Sequence, residues 1–182
     1  MKELSLNILD IVQNSIRAKA NLIEILINES ENEDFIKIQI SDNGNGIPKE
    51  MLKVVTDPYT TSRTTRKVGL GLAFLKQHAE MSDGGVEVES IEGMGTKISA
   101  SFSLHHVDRQ PMGDIAGVIK ILIMANPDID FVYFHKSDNG EFCIDTREIK
   151  VLFEVNNLTD NNLMQDVKEM ITQNLSCIGA VK

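Results

Sequence analysis

Phe35-Ile36-Lys37-Ile38-Gln39-Ile40-Ser41-Asp42-Asn43-Gly44-Asn45-Gly46 is the stretch on which the fold turns. Ile36, Ile38 and Ile40 alternate with Lys37 and Gln39, the period of a strand with one buried face. The strand over 35–40 runs without a break into Asp42 and two glycines. A carboxylate is thus presented at a strand end, beside backbone with no side chains to hold a neighbour away. Upstream, Leu22–Asn28 predicts a second strand, and the acidic Glu29–Asp34 predicts the turn that makes the two an antiparallel pair. Before them, Leu4, Ile8, Ile11, Val12, Ile16 and Ala20 recur every three or four residues and predict a helix over 4–20.

Downstream, residues 48–55 predict a short helix with Pro48 near its first turn. Residues 56–68 hold five Thr with Arg63, Arg66 and Lys67 and no apolar period, which predicts a mobile loop. Leu70–Met81 predicts a helix that opens at Gly69 and Gly71. Val86–Ser90 and Lys97–Leu104 predict strands joined by a turn at Gly93 and Gly95. The composition shifts at His105–Pro111, and the domain boundary is placed there. Residues 1–106 form the first unit and 107–182 a small α+β unit. In the second unit a helix over 112–126 precedes a hairpin of Phe131–His135 and Phe142–Asp145 around Asn139-Gly140, a favoured type I′ pair. Asp145-Thr146-Arg147-Glu148 has capping-box spacing, and Thr159–Asn174 predicts a last amphipathic helix.

The chain has 182 residues, 42% hydrophobic and 25% charged, the balance of a globular protein with a packed core. A net charge of -9 argues against binding to a nucleic-acid backbone, which needs clustered Lys and Arg. The opening Met1–Asn7 lacks the apolar run of a signal peptide, and the longest apolar segment, Val118–Ala125, is short and broken by Lys120. The expectation is a cytoplasmic protein with no membrane association. Cys143 and Cys177 lie far apart and suit buried or half-buried free thiols. His78 suits a structural place in its helix, and His105-His106 an exposed link.

Four polar features follow one another in the first hundred residues. Asp10 and Asn14 are one helical turn apart and share a face, where a carboxylate can orient a water and an amide oxygen can ligate Mg²⁺. Arg17, a turn further on, is within reach of a phosphate. Asp42 can accept from an exocyclic amine such as that of adenine. Gly69 and Gly71 stand where the loop becomes a helix, and free N–H groups there attract an anion. Gly93, Gly95 and Thr96 turn into a strand that brings Thr96 near Asp42 if the two strands are neighbours. Alone, each feature also suits an ordinary turn, a surface loop or a solvated helix face. In this order they point to a nucleotide pocket, with the Thr-rich loop as its lid. There is no Gly-Lys-Ser/Thr of a Walker loop, and the Gly69 loop follows no strand as a Rossmann fingerprint would.

These residues resemble the GHKL superfamily of gyrase, the large heat-shock chaperones, histidine kinases and DNA mismatch-repair ATPases. Asp10–Asn14 falls at the N box, Asp42-x-Gly44-x-Gly46 at the first glycine box, Gly69-Leu70-Gly71-Leu72 at the second and Gly93-x-Gly95-Thr96 at the third. The resemblance covers about residues 4–104. It implies a Bergerat-type α/β sandwich, a mixed and mainly antiparallel sheet with helices on one face. It also implies ATP and Mg²⁺ as cofactors, with Asn14 on the metal. The implied nucleotide contacts are Asn14, Arg17, Ala18, Asp42, Gly44, Gly46, Ile47, Arg63, Lys67, Gly69, Leu70, Gly71, Leu72 and Thr96. Asp10 is the implied general base, standing where the hydrolysing branches carry Glu. Asn14–Ala20 is similar to the mismatch-repair branch, and Asp57–Arg63 to the kinase lid. With the N box beginning almost at Met1, the expectation is a module that lacks its own phosphoacceptor helix. The implied activity is kinase-like phosphotransfer to, or ATP-dependent control of, a partner protein. The alternatives are a slow ATPase switch with the C-terminal unit as a dimer or partner surface, and a nucleotide-responsive binding module without catalysis.

Overall fold

The computed structural model describes residues 3–55 and 71–181. Helix α1 (Leu4–Arg17) is followed by strands β1 (Leu22–Ser30) and β2 (Phe35–Asp42). Then come helices α2 (Lys49–Val55) and α3 (Gly71–Met81), and strands β3 (Gly85–Ile91) and β4 (Gly95–Ser103). Helix α4 (Ile115–Ala125), strands β5 (Asp130–Ser137) and β6 (Gly140–Asp145), and helices α5 (Thr146–Leu152) and α6 (Asn161–Cys177) complete the order. The elements agree with the sequence pattern to within a few residues at most ends.

All six strands lie in one sheet, in the order β3-β4-β2-β1-β5-β6. Every neighbouring pair is antiparallel except β1 with β5, which is parallel. The stretch after residue 106 therefore extends the sheet begun by the first. Alternation in each strand sends Ile23, Ile25 and Ile27, Ile36, Ile38 and Ile40, and Phe131 and Tyr133 to one face, all buried. Leu4, Ile8, Ile11 and Val12 of α1, Leu72 and Leu75 of α3, and Ile119 and Leu122 of α4 meet them in a single hydrophobic cluster. Burial of each such side chain contributes about 1.5–3 kcal/mol. The mixed, mainly antiparallel sheet with its helical layer is the expected α/β sandwich.

The segment at the composition shift is tied to α1. Glu3 gives α1 no side-chain cap. The N–H groups of Leu4 and Ser5 go instead to the carbonyls of Pro111 and Met112, each at 2.9 Å. The buried Asn7 donates to Gln110 at 2.7 Å. At the other sheet end, buried His135 of β5 bonds Tyr133 through Nδ1 at 2.7 Å, and its Nε2 lies 3.4 Å from Glu29 of β1.

Three expectations are corrected. The β5–β6 hairpin forms, but not through a type I′ turn at Asn139-Gly140. Ser137 pairs with Gly140, so Asp138 and Asn139 are the loop, and neither has the positive φ that type I′ demands. The loop is held otherwise: Ser137 accepts from Asn139 N, and Asp138 accepts from Glu31 N and Asn32 N of the adjacent turn. Helix α1 stops at Arg17 rather than 20, because Lys19 takes a left-handed φ of 61° and Ala20 N returns to Ser15 O. Cys143 and Cys177 are both exposed, since one sits on the outermost strand and the other on the last turn of α6.

Candidate functional site

Strand β2 ends at Asp42, and its carboxylate is fixed on both oxygens. Oδ2 accepts from the hydroxyl of Ser15 at 2.6 Å, and Oδ1 accepts from Gly44 N at 2.9 Å. Ser15 is buried on α1, so one hydrogen bond locks the helix to the strand end. A carboxylate accepting from two fixed donors still has lone pairs for a further donor.

The loop after Asp42 docks onto the C-terminal end of α1. Asn45 N donates to Ala18 O at 2.8 Å. Asn43 turns its side chain back to accept from Asn21 N and Leu22 N, both at 3.0 Å. Gly46 has φ 67°, and a Cβ there would overlap the carbonyl oxygen of Ile91, so both conformation and space demand glycine. Ile47 N reaches Ser90 Oγ at 2.8 Å. The β3–β4 turn closes against the same place. Gly95 has φ 124°, and a Cβ there would overlap the carbonyl oxygen of Asp42.

Thr96 is the direct β-ladder partner of Asp42 and is buried. Its hydroxyl lies 2.9 Å from that of Ser90, which also donates to Gly95 O. Ser90 thus gathers Ile47, Gly95 and Thr96 around one oxygen.

On α1, Arg17 Nη1 donates to Asn14 Oδ1 at 3.1 Å, so the amide oxygen is shared with a guanidinium. Asp10 is half-buried, and its carboxylate abuts Gly71 closely enough that a Cβ on Gly71 would overlap Oδ2. An anion is thereby set against the first turn of α3, the end of a helix that attracts negative charge. Leu72 is buried in the core and anchors that turn.

The fold thus brings Ala18, Asp42, Gly44, Gly46, Ile47 and Thr96 to the end of β2, sets Asp10 against Gly71 beside the buried Leu72, and carries Asn14 and Arg17 on the same helix α1. Arg63, Lys67, Gly69 and Leu70 lie outside the described residues, as does the loop read as a lid. Ser15 and Ser90 escape a sequence reading of the site. Ser15 carries a signal in hindsight, being a polar residue that continues the buried side of α1 one turn beyond Ile11 and Val12, as Ser5 and Asn7 do at its start. Ser90 carries none. Among the described residues no group of His, Cys, Asp and Glu is placed to hold a metal ion. None of the described helices is long and apolar enough to cross a membrane.

Fold and site together define a member of a known class of proteins. The chain belongs to the family of histidine kinase-, DNA gyrase B- and HSP90-like ATPases, whose model matches residues 2–106. Among curated relatives, the non-motile and phage-resistance protein of Caulobacter vibrioides is 32% identical over 60% of this chain and 14% of its own. The putative sensor histidine kinase NtrY-like of Rickettsia bellii is 29% identical over 65% of this chain and 19% of its own. The sensor histidine kinase ZraS of Escherichia coli O157:H7 is 29% identical over 58% and 23%. The chain therefore spans less than a quarter of the length of these relatives. Two solved structures share the fold. The N-terminal domain of a DNA repair protein gives a TM-score of 0.58 at 20% identity, covering 79% of this chain and 52% of that one. The Aquifex aeolicus MutL ATPase domain complexed with ADP gives 0.52 at 16%, covering 85% and 70%.

Proposed function

We propose that the chain binds Mg-ATP between α1, the Asp42 loop and the start of α3, and acts on a partner protein by phosphotransfer or ATP-dependent binding. The observation that carries this is the Asp42 carboxylate, fixed at a strand end by Ser15 and Gly44 with acceptor capacity to spare. A fixed carboxylate suits the exocyclic amine of adenine, and Gly46 and Gly95 hold the turns around it. The ADP-bound MutL domain and the sensor histidine kinases among the relatives support the choice of nucleotide and of a kinase-type partner.

The donor set fits Mg²⁺ held largely by water and phosphate, since Asn14 supplies one neutral amide oxygen and this ion keeps most of its waters. Asn14 would hold the metal, which supplies charge neutralisation at the phosphates. Arg17, which now occupies Asn14 Oδ1, would turn toward a phosphate when that oxygen is taken up. A second reading, slow hydrolysis, is favoured by Asp10: its carboxylate sits against the first turn of α3, from where it would take a proton from a water.

The test is incubation with γ-labelled Mg-ATP. Binding lost in Asp42→Ala supports the site, and label passed to a protein partner supports phosphotransfer. Free phosphate that disappears in Asp10→Asn supports hydrolysis instead. A chain that binds no ATP at millimolar nucleotide overturns both.

A further inference from the structure

At the sheet end away from Asp42, β6 is the outermost strand, with β5 as its one neighbour among the described residues. Half of its backbone N–H and C=O groups therefore point outward, a template for another strand. Beside that edge lies an open groove of about 780 Å³, floored by Ile144 and Ile149 and walled by Val151, Leu152 and Met170. The walls are unusually bare: Val151 is 78% exposed, Leu152 76% and the adjoining Phe153 51%. Three large apolar residues in succession on the surface, next to an open strand, mark an interaction site.

The charge around the groove decides what fits it. Its two cations are already committed, Arg147 to Asp145 at 2.6 Å and Lys150 to Asp130 at 2.8 Å. Glu141 and Glu148 have no ion-pair partner among the described residues. The Cys143 thiol on the same strand is pushed above its ordinary value, first by partial burial and then by the carboxylates of Asp145, Glu148 and Glu141. The edge is thus apolar within and negative along its rim. A second copy of this chain is a poor occupant. A two-fold pairing of β6 centred on Cys143 sets Glu141 against Asp145 of the other copy, a carboxylate whose cation is already taken, and so brings Glu141 no partner.

We infer that the β6 edge and the groove beside it dock an extended segment of a different protein, in which apolar residues alternate with Lys or Arg. The segment adds a strand to β6, its apolar side chains enter the groove, and its cations meet Glu141 and Glu148. This names a docking surface for the partner proposed above but rests on the groove alone.

The test is nucleotide-free titration of the full chain with a fluorescent octapeptide alternating lysine and valine, against its glutamate counterpart. The lysine peptide is expected to bind, at least tenfold tighter than the glutamate one. Leu152→Glu should weaken it at least tenfold, although the added negative charge would strengthen any general attraction. Val107→Glu, in an exposed segment away from the groove, is the charge control and should not weaken it. Circular dichroism and Tm of both variants report folding. Equal binding by Leu152→Glu and wild type overturns the inference. So does a wild-type dimer in sedimentation that Leu152→Glu dissociates, since the groove would then hold a second copy. Mg-ATP binding, measured on the same preparation, reports separately on the nucleotide site.

Discussion

Ser15 of α1 donates its buried hydroxyl to Asp42 Oδ2 at 2.6 Å, joining the helix that carries Asp10 and Asn14 to the strand that ends at the glycine loop. The bond orients the carboxylate on which the proposed nucleotide site depends. Ser15→Ala is expected to leave the fold intact and weaken ATP about tenfold, the effect of one hydrogen bond to a charged group. Asp42→Ala should weaken it about a hundredfold or more, the upper end of such bonds. Isothermal titration with Mg-ATP checks both, and an Asp42→Ala protein that binds as well as wild type would remove Asp42 from the site.

The glycines of the site differ in what a methyl group would meet. At Gly46 the obstacle is backbone, the Ile91 carbonyl, and φ is 67°. Gly46→Ala should therefore lose about 2 kcal/mol or more in urea unfolding, since neither strain nor overlap can relax. At Gly71 the obstacle is the end of the Asp10 side chain. Gly71→Ala should keep most of its stability but push the carboxylate aside. Any hydrolysis that depends on Asp10 should then fall while the Tm moves by only a few degrees.

Tyr133 and His135 share a buried hydrogen bond of 2.7 Å. Burial pushes the Tyr133 phenol well above its ordinary value, and the charge of Glu29 adds to this, so the hydroxyl keeps its proton. His135 Nε2 faces Glu29 Oε1 at 3.4 Å. A ring proton on Nε2 would point at that carboxylate and leave Nδ1 to accept from the Tyr133 hydroxyl. Tyr133→Phe strips that acceptor of its donor inside the core and should cost about 1–3 kcal/mol. Urea unfolding with an unchanged m-value reads it.

Asp114 caps α4 by accepting from Gly117 N and pairs with Lys168 at 2.8 Å. The Lys168 hydrogen bond, with help from Gly117 N–H, holds its carboxyl below the usual range. A carboxyl lowered in the folded state stabilises fully above the unfolded value, near 4, and loses that contribution as pH falls through the folded one. The stability gap between wild type and Asp114→Asn should therefore be constant above about pH 5 and close on further acidification. The pair is exposed, so the gap should stay under about 1 kcal/mol. Asp114→Ala loses the cap as well, about 1 kcal/mol more.

The elements were legible in the sequence because periodicity is local: the isoleucines of 36–40 read as a strand wherever they lie. Helix ends were less legible. Three helices finish in a left-handed turn at Lys19, Asp83 and Glu154 rather than at glycine, and those residues give no advance signal. The order of polar motifs indicated which residues belong together near Asp42.

The sequence by itself determined the element order, the buried faces of the strands and the family, because each depends on residues close along the chain. The tertiary structure decided what depends on distant segments meeting. It placed β5 parallel to β1, passing the sheet from residues 22–30 to residues 130–137. It brought Ser15 to Asp42 and Asp10 to Gly71, and among the described residues it left β6 open beside bare apolar side chains. Such pairings follow from close packing of the whole core, and no local pattern of residues encodes them.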